Sequence, residues 1–173
     1  MKKRVISMLL CGLLAVSVIG CSSKNDTPET NNGTNVEQGA TDKVESNVDV
    51  KEIVNKAVEA GYVRMPMEID DTTAKDMYHI NLDDVEEYAI AETGISPGPG
   101  LIVMVEAKEG KLEAVKSAVE KIKEDKVGKA FYPEEEEAAK NSTVEVKGNV
   151  VYYTLFNSQI KEEAQGFIAD MLK

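Results

Sequence analysis

Two cysteines and one histidine supply the only thiols and the only imidazole in this chain of 173 residues. Chemistry beyond hydroxyls, amines and carboxylates therefore rests on three side chains. Cys21 closes the tetrad Val18-Ile19-Gly20-Cys21. Ahead of it stand a cationic start (Lys2, Lys3, Arg4), an apolar run from Val5 to Val18, and small residues around the cleavage point, which is the layout of a secretory signal. The final cysteine makes it a lipoprotein signal. Cleavage before Cys21 frees its amino group, and its thiol carries a diacylglycerol. The competing readings are a retained transmembrane anchor and an ordinary secretory signal that leaves a free thiol. The apolar run is about 14 residues, against roughly 20 for a bilayer span. With Cys11 removed and Cys21 lipidated, the mature chain has no thiol for a disulfide, a nucleophile or a metal.

His79 lacks the nucleophile and the second histidine that triads and zinc sites use, so it reads as a half-exposed residue near a turn. Ser96-Pro97-Gly98-Pro99-Gly100 has glycines that let a backbone approach a ligand. It lacks the Lys-Ser/Thr ending of a phosphate loop and leads into no helix, so it reads as a rigid hairpin connection. Glu134–Glu137 are consecutive on a helix and point in different directions, without the spacing of a calcium loop. Asp70-Asp71 and Asp83-Asp84 read first as turn and cap residues. A carboxylate pair for glycoside cleavage forms in space rather than in sequence, so the residues leave it open. No catalytic residue and no metal ligand is assigned, and no cofactor is expected.

The formal charge is −11. Loss of Lys2, Lys3 and Arg4 with the signal takes it to −14. Such a surface disfavours nucleic acid and anionic lipid headgroups. A diacylglyceryl group supplies the two chains that stable anchoring needs. Residues 22–47 are polar apart from two valines and one alanine, too little apolar surface to offset ordering entropy. As a coil of about 26 residues they reach about 25–30 Å. The expected organisation is a signal over 1–20, lipidated Cys21 and a tether over 21–47, and one globular domain over 48–173.

Within that domain a first helix starts at Asp49, with Glu52 three residues on as in a capping box. Val50, Ile53, Val54, Ala57 and Val58 form its stripe, and Gly61 stops it. A helical turn is expected over 74–79 and a polar-capped turn over 81–85. Strands follow at 87–92 and 101–107, then a helix over 111–126 with the stripe Leu112, Val115, Val119 and Ile122. Pro133 opens a short helix. A second hairpin pairs 143–147 with 150–156 across Gly148-Asn149. Ser158 caps a last helix with the stripe Ile160, Ala164, Phe167, Ile168 and Met171. The fold expected is α+β in the order α-ββα-ββα: a four-stranded antiparallel sheet with helices mainly on one face, a two-layer sandwich. The strands at 101–107 and 150–156 are apolar on both faces, so the other sheet face is partly covered too. Tyr152 and Tyr153 point to opposite faces, one into the core and the other to an open face. Tyr88, Tyr152, Pro97 and Pro99 make up the candidate contact surface.

Val85-Glu86-Glu87-Tyr88, Gly110, Tyr132-Pro133-Glu134 and Val146-Lys147-Gly148-Asn149-Val150-Val151 carry a family resemblance. From residue 76 onward the chain resembles a domain of unknown function found on lipoproteins of clostridia and related Firmicutes. The resemblance implies a small α/β domain behind a lipid anchor and brings no catalytic residues. The expected role is a non-catalytic binding or accessory module of an envelope complex, lipid-anchored at the extracytoplasmic face of the cell membrane, with an envelope or membrane protein as partner. A small-ligand or cation-binding lipoprotein is the alternative, and a carboxylate-dependent hydrolase the third reading.

Overall fold

Alternating and β-branched residues give four strands, β1 (Val85–Glu92), β2 (Gly100–Ala107), β3 (Val144–Lys147) and β4 (Val150–Phe156). They pair in the order β1-β2-β4-β3, every neighbour antiparallel. These coordinates are a computed structural model describing residues 48–173. The expected signal over 1–20, Cys21 and the expected tether to residue 47 lie outside the described residues.

Among the described residues there are also five α-helices, α1 (Val50–Glu59), α2 (Asp71–Tyr78), α3 (Leu112–Lys129), α4 (Pro133–Lys140) and α5 (Lys161–Met171), and one 3-10 turn at Leu82–Asp84. Caps set their starts. Asp49 accepts from the Glu52 amide at 2.8 Å, and Asp70 from the Thr73 amide at 2.7 Å. Pro133 occupies the first turn of α4. At α5 the N-cap position is Ile160, without a side-chain cap bond, and Ser158 does not cap the helix; Asn157 holds the turn that leads into it. Asn157 accepts from the amides of Gln159 and Ile160 through its side chain, and from Ile160 and Lys161 through its carbonyl.

The α+β order and the open antiparallel sheet are those expected. One face packs Leu101, Val103, Val105, Val151 and Tyr153 against α2, α3 and α4. The other packs Ile102, Met104, Val150 and Phe156 against α1 and α5. The larger share of helix lies on the first face, and the doubly apolar central strands explain the cover on the second. Tyr153 is fully buried while Tyr152 is half-buried on the opposite face, as alternation requires. The repeated order of elements is not a repeat in space, because α3 and α5, which follow equivalent hairpins, lie on opposite faces. Among the described residues no helix is long and apolar enough to cross a membrane.

Candidate functional site

Glu92 ends β1 and points to the same sheet face as Tyr88 and Ile90. Its neighbours across the sheet are Leu101 on β2 and then Leu155 on β4. These three side chains line a cleft of about 330 Å³. One wall is the C-terminal half of α3, another the end of α2, and the third the loop joining β1 to β2.

The floor is ionic. Lys126 Nζ donates to both carboxylate oxygens of Glu92, at 2.6 and 2.7 Å. The Tyr78 hydroxyl donates to Glu92 at 2.5 Å, and the ammonium lies 5.5 Å from the Tyr78 ring centroid. Burial, followed by the Glu92 carboxylate, pushes the Tyr78 hydroxyl far above its usual range, so it stays protonated and donating. Beside this group Asp125 takes Lys129 at 2.8 Å and His79 at 2.9 Å. Lys129 first, and His79 second, bring the Asp125 carboxyl down to about 2. His79 closes α2 in the left-handed region, φ 57°, which aims its ring at α3.

The mouth is apolar. Met67, Met77 and Ile95 line it and are 42%, 63% and 37% exposed. Ala130 also lines it, and the next two residues, Phe131 (85% exposed) and Tyr132, meet edge to face at 5.2 Å. Apolar side chains this exposed and this close together mark contact surfaces. The loop is tied down on both sides. Met67 N–H donates to Glu92 O, and Gly94 N–H to Met65 O. A Cβ on Gly94 would stand 3.1 Å from that Met65 oxygen, so a side chain there would need the Met65 backbone to give by a few tenths of an ångström. Met65 itself is 74% exposed with φ 47°, a strained conformation for a methionine. On the far side Gly98 N–H donates to Glu135 at 3.1 Å.

The expected contact residues do not form one surface. Pro99 lines the cleft, and Pro97, in a cis bond with Ser96, is exposed on the same loop. Tyr88 lies further along β1, half-buried, its hydroxyl donating to Asp71 at 2.6 Å. Burial, then Asp71, pushes that hydroxyl up to about 12. Tyr152 is on the opposite sheet face, bonded to Glu145 at 2.7 Å. Of the carboxylates considered, Asp70 caps α2 and Asp84 pairs with Lys111 at 2.8 Å. Among the described residues no group of three His, Cys, Asp or Glu is placed to hold a metal, and no buried side-chain polar atom lacks a partner.

Tyr78, Glu92 and Lys126 are the functional candidates that sequence reasoning missed. One signal was present. The stripe Val115, Val119, Ile122 on α3 continues four residues on to Lys126, which puts an amine on the buried side of the helix.

Residues 59–156, more than half of the chain, match a family described as a domain of unknown function (DUF4358). That stretch contains every residue lining the cleft, and it stops before α5. No curated protein and no solved structure matches the chain.

Proposed function

We propose, for a chain that belongs to the DUF4358 family of domains of unknown function, a non-catalytic binding module held at the extracytoplasmic face of a membrane by lipid on Cys21. It serves an envelope complex as an accessory subunit, in the manner of the clostridial lipoproteins it resembles, and the cleft at the end of β1 is its contact site. One observation carries the binding role: exposed apolar side chains surround a preformed cleft whose ionic floor is already neutralised from within. A catalytic acid or base needs a pKa near the working pH and a proton to move. Here burial and the Glu92 carboxylate push the Tyr78 hydroxyl far above any working pH, so it keeps its proton. The Val18–Cys21 tetrad supports the anchor, and the polar stretch to residue 47 supplies the reach.

Native gel electrophoresis of solubilised membranes tests this reading. The wild-type chain should run in an assembly larger than its own mass. Met77→Asp with Ile95→Asp should return it to the monomer position, and Cys21→Ala should remove it from the membrane fraction. A monomeric wild-type chain, or a double variant that runs as the wild type does, contradicts the reading.

The cleft volume of about 330 Å³ favours one second reading, a small neutral ligand, since such pockets start near ~300 Å³. That ligand would raise the melting temperature of the wild-type chain and leave Leu155→Trp unmoved.

A further inference from the structure

Oxidisable sulfur is concentrated at the cleft. Both cysteines precede residue 48 and the chain has no tryptophan, which leaves thioethers as the side chains of the described residues that a peroxide oxidises most readily. The methionines there are Met65, Met67, Met77, Met104 and Met171. Met104 is fully buried in the sheet, and Met171 packs against the cluster that α1 and α5 cover. The other three are exposed and gather at one place: Met67 and Met77 line the cleft, and Met65 stands two residues from Met67. Their exposure is built in. Pro66, between two of them, pairs with Thr93 just past β1, and Thr93 Oγ donates to the Arg64 carbonyl at 2.7 Å. Together with the Met67 and Gly94 amide bonds, these contacts fix the backbone of 64–67 while both methionine side chains stay in solvent. Met77 immediately precedes Tyr78, which α2 buries.

From this arrangement we infer that Met65, Met67 and Met77 form an oxidation site that turns the mouth of the cleft from apolar to polar; its consequence for contact rests on the binding-module reading above. The co-substrate is a peroxide. A sulfur lone pair attacks one peroxide oxygen, so an S–O bond forms and the O–O bond breaks. The sulfur is oxidised by two electrons and the peroxide is reduced by two. With hydrogen peroxide the departing hydroxide takes the proton from the transferred oxygen and leaves as water. Each methionine gains one oxygen atom and becomes a polar, chiral sulfoxide. That oxygen must stay hydrated or find a donor. Lys126 and Lys129, the ammonium groups lining the cleft, already hold carboxylates. None of the three methionines belongs to either core cluster, so oxidation removes the apolar mouth and leaves the fold in place.

The test uses the full chain in nanodiscs of saturated zwitterionic lipid, treated with hydrogen peroxide at neutral pH, quenched with catalase and mapped by peptide mass spectrometry. Met65, Met67 and Met77 should each gain one oxygen at least tenfold faster than Met104. Oxidation of Met104 at a similar rate overturns the site. A second arm treats solubilised membranes and reads the native-gel assembly. Peroxide should return the wild-type chain to the monomer position, and methionine sulfoxide reductases should restore the assembly. Met65→Leu, Met67→Leu and Met77→Leu together should keep it assembled through the same treatment. No loss from the wild type, equal loss from the triple variant, or no recovery on reduction overturns the switch. The two claims fail separately. A wild type that is monomeric before any peroxide sinks the contact reading, and the oxidation rates then decide the site alone. A wild type that assembles, but oxidises no faster at the mouth than at Met104, keeps the contact reading and sinks the oxidation site.

Discussion

Lys126 reaches Glu92 because the buried stripe of α3 ends in an amine rather than an alkyl group. The carboxylate is 21% and the ammonium 26% exposed at the side chain, so water screens the pair only in part. Lys126→Met leaves Glu92 with the Tyr78 hydroxyl alone, and should cost about 1–2 kcal/mol in urea unfolding of the full chain. Adding Glu92→Gln should recover part of that loss, giving a coupling of about 1 kcal/mol in the double-mutant cycle; strictly additive losses would show the two groups to be independent. Asp125 gives a pH prediction. Its folded carboxyl is lowered to about 2, below the unfolded value, so its stabilising contribution is complete above about pH 4. That contribution is lost as the pH falls from about 4 through about 2. Asp125→Asn should therefore flatten the acid limb of urea midpoint against pH, and an unchanged slope there would contradict the ion pairing. This cluster was illegible in sequence for a physical reason. Tyr78, Glu92 and Lys126 lie 14 and 34 residues apart, and only the packing of α2 and α3 on one sheet face joins them.

At the scale of elements, local rules went far. The strand at 150–156 and the turn at Gly148-Asn149 stand where the doubly apolar run and turn chemistry put them, with Gly148 at φ 61°. Asp49 and Pro133 begin their helices as expected. The start of α5 differs because the helix opens only after Ile160, and Asn157 rather than Ser158 holds the turn leading into it. The chain leaves β4 through a turn that points the Asn157 oxygen back at two amides. Asn157→Ala should cost about 1 kcal/mol and Ser158→Ala a few tenths at most, measured by urea unfolding; the reverse order would mean that Ser158 holds the turn before the helix. The loop over 93–99 is legible as a hairpin connection, but its role as a cleft wall is not. That role depends on the 65–67 segment meeting Gly94 on one side and Glu135 meeting Gly98 on the other.

For the whole molecule, the doubly apolar β2 and β4 already require cover on both sheet faces, and α1 with α5 supplies the second layer. Which face each helix takes is not written in its stripe, because the stripes of α3 and α5 are alike while their faces are opposite. One face ends in a cleft with an exposed apolar mouth, in a chain that is otherwise strongly acidic. The proposed function makes that mouth the contact with a neighbouring protein. Photocrosslinking in the native cell tests this most directly, with a benzophenone amino acid at position 77 and a control at Val146, which is 44% exposed on the edge strand β3. The account predicts one dominant protein adduct from position 77, at least fivefold above that from position 146, and its loss in the Cys21→Ala background. Equal adducts from both positions, or an adduct from position 77 that persists unchanged without the anchor, would contradict it.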